Sequence, residues 1–462
     1  MRRLFGTDGI RGIANKTLTA DLAYKVGLAT AKLITSNHFR DVKNSPFGDD
    51  RPVVLIGTDT RPSKDMIVSA ITSGLTAGGV NIVPVGILPT PAIAYLTKHY
   101  AFVALGIMIT ASHNPKEYNG IKIIGPDGYK LPDQLEEQIE DLISKIEPDT
   151  VAEYYAESCG KIITDYAVLA SNDYFASLMQ FKYKPIRIAV DCSNGSASTC
   201  HPIFKALGLS VREYNVEKDG EHINEGCGSM HLEFLQDVIK NSGLAFDCGI
   251  AFDGDADRCL MIDETGEIVD GDHILAIVGG FLKDLGLLKN NLIVGTVMSN
   301  LGLVKFCEEK GIKFLSTKVG DKYVLEEMIT NNGSLGGEQS GHIIFKEYAT
   351  TGDGILTALM VLNIMDKTGK KLSELKNQMF KYPQVSTQIT ATPEQKNAFI
   401  ANNSLRQRIN DLVYETLGND GRSVVRPSGT ENYIRIMVEG KDYETITKLR
   451  DDIQALITQS LN

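Results

Sequence analysis

The chain has 462 residues, of which 43% are hydrophobic and 23% charged, and its formal net charge is −11. Because domains usually contain about 100–200 residues, this length predicts three or four of them, and the composition is that of a folded rather than a disordered protein. The negative charge argues against a general nucleic-acid binder, but it leaves room for a small anionic substrate held by a few local arginines.

Helix and strand patterns alternate in the first third of the chain. Apolar residues after Thr19 recur every three or four positions, which predicts a helix capped by Thr19, and a second helix is predicted at 66–77. Apolar runs predict strands at 53–57, 82–85 and 105–109. This alternation is typical of a mostly parallel sheet with helices on both faces.

Three further apolar runs, at 186–190, 249–252 and 292–297, each end in a polar segment. Ligand-binding loops of α/β sheets lie at the carboxyl ends of strands. We therefore expect functional residues in the segments that follow these runs.

The C-terminal part has a different pattern. A polar stretch at 391–397 precedes a predicted helix at 405–417, and strands are predicted at 423–425 and 433–438. Asp442 is expected to cap a final helix. These elements predict a compact α+β domain with antiparallel strand pairing.

Together the patterns predict three α/β domains with mixed, mostly parallel sheets, followed by a smaller C-terminal α+β domain. The predicted boundaries are 1–155, 156–263, 264–370 and 371–462.

Neither the cysteines nor the apolar stretches indicate secretion or membrane insertion. The seven cysteines are scattered and form no C-x-x-C pair, as is typical of thiols in a reducing compartment. The longest apolar stretch near the middle, Val103–Ala111, has nine residues, whereas a membrane helix needs about 20. The N-terminus lacks the apolar segment of a signal peptide. We therefore predict a cytoplasmic protein without a membrane partner.

A polar loop that contains Ser112 and His113 follows the predicted strand at 105–109. A serine at this place is expected to be exposed at the edge of the sheet, and Pro115 ends the strand pattern. Alone, the segment is more typical of an ordinary polar turn with a capping serine.

Three aspartates, Asp253, Asp255 and Asp257, alternate in the loop D-G-D-A-D-R. In an extended chain alternate side chains point to one side, so the carboxylates would repel one another unless a cation lay among them. Hard oxygen ligands of this kind suit Mg²⁺. An EF-hand does not match, because the positions at which it needs glycine and glutamate differ. A solvated acidic loop is the remaining alternative.

Two more segments have the chemistry to bind a sugar phosphate. Glu338, Ser340 and His342 lie in the loop G-G-E-Q-S-G-H and can form hydrogen bonds with sugar hydroxyls, although an ordinary loop also fits. The segment R-P-S-G-T-E at 426–431, with Arg435, suits a phosphate, because guanidinium groups are bidentate donors and glycine lets backbone N–H groups approach an anion. The alternative is a turn with a surface arginine pair.

Two basic residues lie near these segments. Arg11 belongs to the glycine-rich opening F-G-T-D-G-I-R-G, and Lys122 follows the loop of Ser112. For Lys122 the alternative is a surface charge, which is the commonest place of a lysine.

In this order the segments resemble the motifs of the α-D-phosphohexomutase superfamily. That family has a catalytic serine loop, a D-G-D-x-D-R metal loop, a G-E-x-S-G-H sugar loop and an R-x-S-G-T-E phosphate loop. The resemblance runs from Phe5 to Gly440, and four motifs in order are far more specific than any one of them. The opening motif, Gln339 and the segment 319–321 resemble the branch that acts on glucosamine phosphates.

Three positions depart from the pattern. Asn432 stands where the family commonly has proline, Pro427 is more typical of the glucose and mannose branch, and Lys322 replaces a frequent arginine. The main alternative is therefore phosphoglucomutase/phosphomannomutase activity within the same superfamily. A serine-dependent sugar phosphatase and a non-catalytic sugar-phosphate binder are weaker alternatives.

The resemblance implies four domains around a central cleft and a role for each motif. Ser112 would carry the phosphoryl group and would bind Mg²⁺ together with Asp253, Asp255 and Asp257. Either Lys122 or His113 would act as general base, and Lys122 is preferred. The other implied site residues are the sugar ligands Glu338, Gln339, Ser340 and His342, the phosphate ligands Arg426, Ser428, Gly429, Thr430 and Arg435, and the cleft residues Arg11 and Arg258.

The implied partner is a small hexosamine phosphate, and the implied intermediate and activator is glucosamine 1,6-bisphosphate. The resemblance also makes a homodimer an expectation. No nucleic acid is expected to bind.

Overall fold

Four β-sheets with flanking helices follow one another along the described chain. The structure is a computed structural model, and it describes residues 4–6, 8–37, 45–48, 50–147, 149–428 and 432–461. The first three sheets are mixed and lie in α/β units, and the fourth is a smaller antiparallel sheet. This architecture confirms the predicted α/β class with a smaller C-terminal α+β unit. The predicted domain boundaries stay predictions.

The first unit contains the first sheet and the helices that cover it. Its strands are β1 (Phe5–Gly6), β2 (Gly9–Ile13), β3 (Val53–Thr58), β4 (Asn81–Ile87), β5 (Val103–Ile109) and β6 (Tyr118–Ile124). Its helices are α1 (Ala20–Asn37), α2 (Lys64–Ala77), α3 (Thr90–His99) and α4 (Asp133–Ser144). The strand order is β1-β2-β6-β5-β3-β4, with β3 parallel to β4 and β5, and β6 antiparallel to β5.

Local sequence explains these elements. Thr19 Oγ1 accepts a hydrogen bond from the N–H of Leu22 (3.2 Å), which confirms the predicted cap of α1. All residues of β3 and β5 are buried, as expected for central strands covered on both faces. Since β6 runs back beside β5, the segment between them turns at the carboxyl end of β5.

The second unit has a similar plan. Its elements are α5 (Ala167–Leu178), β7 (Arg187–Asp191), α6 (His201–Ala206), β8 (Ser210–Tyr214), α7 (Leu232–Asn241), β9 (Cys248–Phe252), β10 (Cys259–Asp263) and β11 (Ile268–Val269). The strand order is β11-β10-β9-β7-β8, with β7 parallel to β8 and β9. Strands β9 and β10 form an antiparallel hairpin. The three alternating aspartates lie in the connection of that hairpin.

The third unit has another antiparallel hairpin at one edge of its sheet. Its elements are α8 (Gly271–Asp284), β12 (Leu292–Thr296), α9 (Leu301–Lys310), β13 (Lys313–Thr317), α10 (Asp321–Thr330), β14 (Leu335–Gly337), β15 (Ile343–Phe345), α11 (Gly354–Thr368) and α12 (Leu372–Lys376). The strand order is β13-β12-β14-β15, and residues 338–342 connect β14 to β15.

The C-terminal unit consists of one three-stranded sheet and the helices that pack against it. Its elements are β16 (Gln384–Thr390), α13 (Pro393–Ala401), α14 (Asn403–Leu417), β17 (Gly421–Pro427), β18 (Tyr433–Gly440) and α15 (Tyr443–Leu461). The strand order is β16-β18-β17, and both pairings are antiparallel, as predicted. Sequence analysis did not predict β16 or α13. Strand β16 is mostly polar and only its Val385 is buried, while α13 begins inside the polar stretch at 391–397.

The hydrophobic core of the C-terminal unit is separate from those of the first three units. One continuous cluster joins the first three units and includes Val53, Phe204 and Ile355. The buried apolar residues of the C-terminal unit, such as Ile436 and Leu449, form a separate cluster. Within the described ranges, no helix combines the length and apolar character needed to cross a membrane.

Polar contacts at the start of α9 join the C-terminal unit to the third unit. Glu439 is fully buried, and its Oε1 accepts hydrogen bonds from the N–H of Leu301 (2.5 Å) and from Nε of Arg422 (3.0 Å). Arg422 also donates to the backbone carbonyl of Ser299. Glu439 therefore supplies negative charge to the N-terminal end of α9, where it is favourable.

Asp272 is a fully buried carboxyl group close to this junction. Its Oδ2 accepts a hydrogen bond from the N–H of Asn300 (2.8 Å), and its Oδ1 has no hydrogen-bond partner among the described residues. Burial and then the carboxylate of Asp270 raise the pKa of Asp272 to about 8. Lys381, which pairs with Asp270 (2.5 Å), offsets only part of this effect.

Asp272→Asn is expected to raise the melting temperature by about 2 °C or more at pH 8 and by less at pH 5. An aspartate in an unfolded chain has a pKa of about 3.9. The folded protein therefore holds an extra proton between that pH and about pH 8, and its stability falls as the pH rises through this window. Asparagine is neutral at every pH, so the variant does not lose this stability as the pH rises.

Thermal unfolding at pH 5 and pH 8 measures this effect. Asp284→Asn, an exposed substitution on the same helix, is the control and should shift the melting temperature equally at both pH values. An equal gain for Asp272→Asn at pH 5 and pH 8 would contradict the assignment of a raised pKa.

Candidate active site

The serine loop, defined as residues 110–117, begins at the carboxyl end of β5. Ser112 has a left-handed backbone, with φ at +53°. Its Oγ donates a hydrogen bond to Oδ2 of Asp253 (2.7 Å). The expectation of an exposed serine is wrong, because Ser112 is only 1% exposed beneath the loop of the second unit. The predicted nucleophile thus lies beside a predicted metal ligand.

The acidic loop, residues 253–258, connects β9 to β10. Asp253, Asp255 and Asp257 are buried, and one oxygen from each lies within 4.8 Å of the others. Oδ1 of Asp255 and Oδ1 of Asp257 have no hydrogen-bond partner in the described chain. Burial, followed by the carboxylates of Asp257 and Asp255, raises the pKa of Asp253 well above its ordinary value. These unpaired oxygens fit a divalent cation, so the cluster can hold a metal ion.

Lys122 is buried beside the acidic loop. Its Nζ lies 2.9 Å from Oδ2 of Asp255, 3.1 Å from Oδ2 of Asp8 and 3.4 Å from Oδ2 of Asp257. Burial acts to lower the pKa of Lys122, but these three carboxylates hold it well above its ordinary value. In this state Lys122 is a charged hydrogen-bond donor, which fits neutralisation of the acidic loop better than proton abstraction.

His113 is next to the nucleophile and differs from Lys122 in its charge. Its Nδ1 lies 3.3 Å from Oγ of Ser112. Burial, together with the nearby guanidinium groups of Arg258 and Arg11, lowers the pKa of His113 to about 4. The imidazole is therefore neutral near pH 7 and has a free lone pair. This geometry favours His113 over Lys122 as a proton acceptor.

Arg11 and Arg258 bring positive charge to the same centre. Arg11 pairs with Asp8, and Nε of Arg258 lies 4.0 Å from Oδ1 of Asp257. The backbone N–H of Arg258 also donates to Oδ1 of Asp253 (3.1 Å). Burial acts to lower the pKa of Arg258, but Asp253 and Asp257 raise it above its ordinary value. The guanidinium group of Arg258 therefore remains charged.

The glutamate loop, residues 338–342, reaches the acidic loop from the third unit. Glu338 Oε1 accepts a hydrogen bond from the N–H of Gly320 (3.0 Å), and Gln339 and Ser340 are half-buried. His342 is buried, with its Nδ1 3.7 Å from Oδ1 of Asp257. The structure therefore brings three of the four predicted segments together.

Sequence analysis missed a charged link between the first and third units. Lys130 Nζ lies 2.5 Å from Oδ1 of Asp8 and 2.5 Å from Oδ2 of Asp321. Burial acts to raise the pKa of Asp8, but Lys122, Lys130 and Arg11 hold it well below its ordinary value. Asp8 and Asp321 belong to segments that carried the resemblance, whereas no sequence signal distinguished Lys130 from a surface lysine.

The two arginines of the last predicted segment lie opposite each other in the C-terminal sheet. Arg426 in β17 pairs with Arg435 in β18, and both line a cavity of about 490 Å³ together with Met298 of the third unit. Burial and then the charge of Arg435 lower the pKa of Arg426. An anion between the two guanidinium groups would relieve this repulsion.

The rest of that segment is only partly described. Ser428 is buried, and its backbone carbonyl accepts a hydrogen bond from Lys396 (3.0 Å). Gly429 and Thr430, which the resemblance assigns to phosphate binding, lie outside the described residues. Arg426 and Ser428 thus belong to a unit with a separate hydrophobic core.

Models of the four domains of the phosphoglucomutase/phosphomannomutase family match the chain in order. The α/β/α domains I, II and III match residues 2–150, 170–266 and 270–382, and the C-terminal domain matches residues 389–456.

Curated relatives match the chain over its full length. The phosphoglucosamine mutases of Thermoanaerobacter pseudethanolicus and Caldanaerobacter subterraneus are both 47% identical to it, over 100% of each chain. The phosphoglucosamine mutase of Clostridium botulinum strain Kyoto is 46% identical over 99% of each chain.

Solved structures share the fold. A phosphoglucomutase/phosphomannomutase family protein from Burkholderia thailandensis has a TM-score of 0.80 at 25% identity and covers 99% of this chain and 97% of its own. N-acetylphosphoglucosamine mutase from Aspergillus fumigatus, in complex with GlcNAc-6P and magnesium, has a TM-score of 0.65 at 18% identity and covers 95% of this chain and 96% of its own.

Proposed function

Since the chain belongs to the phosphoglucomutase/phosphomannomutase family, we propose that it is a phosphoglucosamine mutase that interconverts glucosamine 6-phosphate and glucosamine 1-phosphate. Family membership confirms the resemblance to phosphohexomutases. The choice of an amino sugar is supported by full-length relatives at 47% identity that carry this name. The observation that carries the chemistry is the hydrogen bond from Ser112 Oγ to Asp253 in the buried acidic cluster.

The proposed reaction has two phosphoryl transfers. In the first, the bond between phosphorus and Ser112 Oγ breaks while a bond forms to the free hydroxyl oxygen of the sugar phosphate, which gives glucosamine 1,6-bisphosphate; the proton lost by that hydroxyl is taken up by Ser112 Oγ. The bisphosphate turns end for end. In the second, Ser112 Oγ gives up its proton and bonds to the other phosphorus while the bond from that phosphorus to its sugar oxygen breaks. The sugar oxygen takes up the proton, and the isomeric monophosphate leaves. Such transfers depend mainly on positioning and charge neutralisation.

His113 is proposed as the proton acceptor for Ser112 in the second transfer. A serine hydroxyl is a poor nucleophile until a base removes its proton. Nδ1 of His113 lies 3.3 Å from Ser112 Oγ, and the low pKa of His113 keeps the imidazole neutral, so that Nδ1 can accept a proton in the tautomer protonated at Nε2. Lys122, which the sequence favoured, would instead compensate the charge of Asp255 and Asp257.

The proposed metal ion is Mg²⁺, held by Asp253, Asp255 and Asp257 together with an oxygen of phosphorylated Ser112. The carboxylate ligands and their unpaired oxygens support this choice, and the Aspergillus fumigatus relative was solved with magnesium. When bound, such an ion stabilises the negative charge that develops on the transferring phosphoryl group.

Two further loops would hold the substrate. Glu338, Ser340 and His342, with Gln339, are proposed to contact the sugar hydroxyls and the amino group. Arg426, Arg435 and Ser428, with Gly429 and Thr430, are proposed to hold the phosphate that does not react. These phosphate-binding residues must accept the substrate in both orientations, which explains why they belong to a unit with its own hydrophobic core.

Comparing kcat/KM for the 6-phosphates of glucosamine, glucose and mannose, with Mg²⁺ and a trace of the matching bisphosphate, tests the substrate. We expect the amino sugar to be preferred by about tenfold or more, which corresponds to about 1.4 kcal/mol. A preference for glucose 6-phosphate or mannose 6-phosphate would leave the proposed reaction class unchanged but would show that glucosamine phosphate is not the preferred substrate. Release of inorganic phosphate without isomerisation would indicate the phosphatase alternative.

A further inference from the structure

The backbone of the serine loop is held by Arg61, a fully buried residue outside the sequence motifs. Its Nη2 donates hydrogen bonds to the carbonyl oxygens of Ser112 (2.9 Å) and Asn114 (2.7 Å). Its Nη1 donates to the carbonyl oxygens of Pro115 and Tyr118. No sequence pattern indicated this role, because the segment around Arg61 has the composition of an ordinary turn.

Arg61 is itself fixed by a buried carboxylate. Its Nε lies 3.0 Å from Oδ2 of Asp59, and both side chains are fully buried. The hydroxyl of Thr110, at the start of the serine loop, donates to the same oxygen of Asp59 (2.7 Å). The guanidinium group therefore has its charge balanced and its orientation fixed before it meets the loop.

Asn224 of the second unit holds two of the same carbonyl groups from the other side. Its Nδ2 donates to the carbonyl oxygens of Ser112 (3.0 Å) and Asn114 (3.2 Å). Asn224 is buried, and its own N–H donates to the carbonyl oxygen of Ser193 (3.0 Å). Two donors from different units thus converge on one pair of carbonyl oxygens.

These hydrogen bonds stabilise an unfavourable backbone conformation. Ser112 has φ at +53°, a left-handed conformation that is unfavourable for a residue with a Cβ. Without the donors, the loop is expected to relax toward negative φ and to turn Oγ of Ser112 away from Asp253. Since Asn224 belongs to the unit that carries the acidic loop, it also fixes the position of the serine relative to that loop.

We infer that Arg61 and Asn224 are positioning residues that hold Ser112 in the orientation required for phosphoryl transfer. This inference rests on the proposed mutase function. Neither residue needs to touch the sugar phosphate. Their loss should therefore slow the transfer and leave substrate binding almost unchanged.

Asn224→Asp tests the inference with little change in shape. The carboxylate keeps the size of the side chain and tolerates the left-handed backbone of this position (φ +59°), but it places an oxygen where a donor faced two carbonyl oxygens. We expect kcat to fall by about 10- to 100-fold, because small misplacements of reacting groups have effects of this size. The KM for the sugar phosphate should stay within about twofold.

Asn290→Asp is a matched control. Asn290 also has a left-handed backbone (φ +54°), and its Nδ2 also donates to two carbonyl oxygens, those of Asn331 (2.9 Å) and Asn332 (3.4 Å). It is exposed in the third unit. This variant should keep the kcat of the unaltered protein, and any fall in its melting temperature measures the loss of a similar pair of hydrogen bonds away from the serine loop.

A second pair, Asn224→Gly and Asn290→Gly, removes the amide without backbone strain and covers the case in which Asn224→Asp folds poorly. An unchanged kcat in a folded Asn224 variant would overturn the inference, as would a loss of kcat explained by unfolding alone. An unaltered protein without mutase activity would instead overturn the proposed function, and the inference with it.

Discussion

Ser112→Ala is expected to reduce mutase turnover by more than about 10,000-fold, because the variant has no oxygen to carry the phosphoryl group. Isomerisation of the sugar phosphate and phosphorylation of the protein, measured by intact mass, should be lost together.

Two further variants distinguish the effect of the missing hydroxyl from the effect of a changed loop conformation. Ser112→Gly also lacks the hydroxyl but adopts φ at +53° without strain, so its inactivity would show that the hydroxyl matters and the loop conformation does not explain the loss. Ser198→Ala removes the hydroxyl of another buried serine, whose Oγ has no hydrogen-bond partner among the described residues. Substantial residual isomerisation by Ser112→Ala would refute the nucleophile role.

Asp253→Asn is expected to lower turnover by more than about 100-fold while leaving the metal-free protein as stable as before or more stable. The loss follows from removal of a metal ligand, since metal stabilisation of a phosphoryl transition state is worth several kcal/mol. The unchanged or higher stability of the metal-free variant follows from the raised pKa of Asp253. Burial and the carboxylates of Asp257 and Asp255 raise the pKa of Asp253, so its ionised form destabilises the folded state at neutral pH, and asparagine removes that charge.

Turnover as a function of Mg²⁺ concentration and melting temperature with and without Mg²⁺ measure both effects. The unaltered protein should gain stability with Mg²⁺, and Asp253→Asn should gain much less. Asp65→Asn, at an aspartate whose side chain is 86% exposed, is the control and should respond to Mg²⁺ like the unaltered protein. Equal stabilisation of Asp253→Asn by Mg²⁺ would contradict the assignment of Asp253 as a ligand.

Sequence patterns predicted the loops of the site better than the residues that support them. The loops of Ser112 and Asp253 follow buried strands, and strand ends are where α/β sheets place ligands. Arg61 and Asn224 could not be predicted in the same way, because their roles depend on which carbonyl groups the tertiary structure brings to them. A local turn pattern carries no such information.

Lys122 shows a second limit of sequence analysis. The family resemblance implied that Lys122 lines the cleft, and the structure places it against Asp8, Asp255 and Asp257. Its protonation state depends on the sum of burial and these three charges, which come from two separate parts of the chain. A local pattern therefore predicts the position of a basic group more readily than its role in proton transfer.

The separate core of the C-terminal unit has a consequence for how this protein can evolve. Substitutions that repack Ile436 or Leu449 need no compensating change around Ser112, because the two regions share no hydrophobic cluster. The contacts of Glu439 and Arg422 with the third unit are few and polar, so a foreign C-terminal unit that keeps them could be grafted onto the remainder. The C-terminal unit can thus diverge among descendants while the loops of Ser112 and Asp253 are inherited intact.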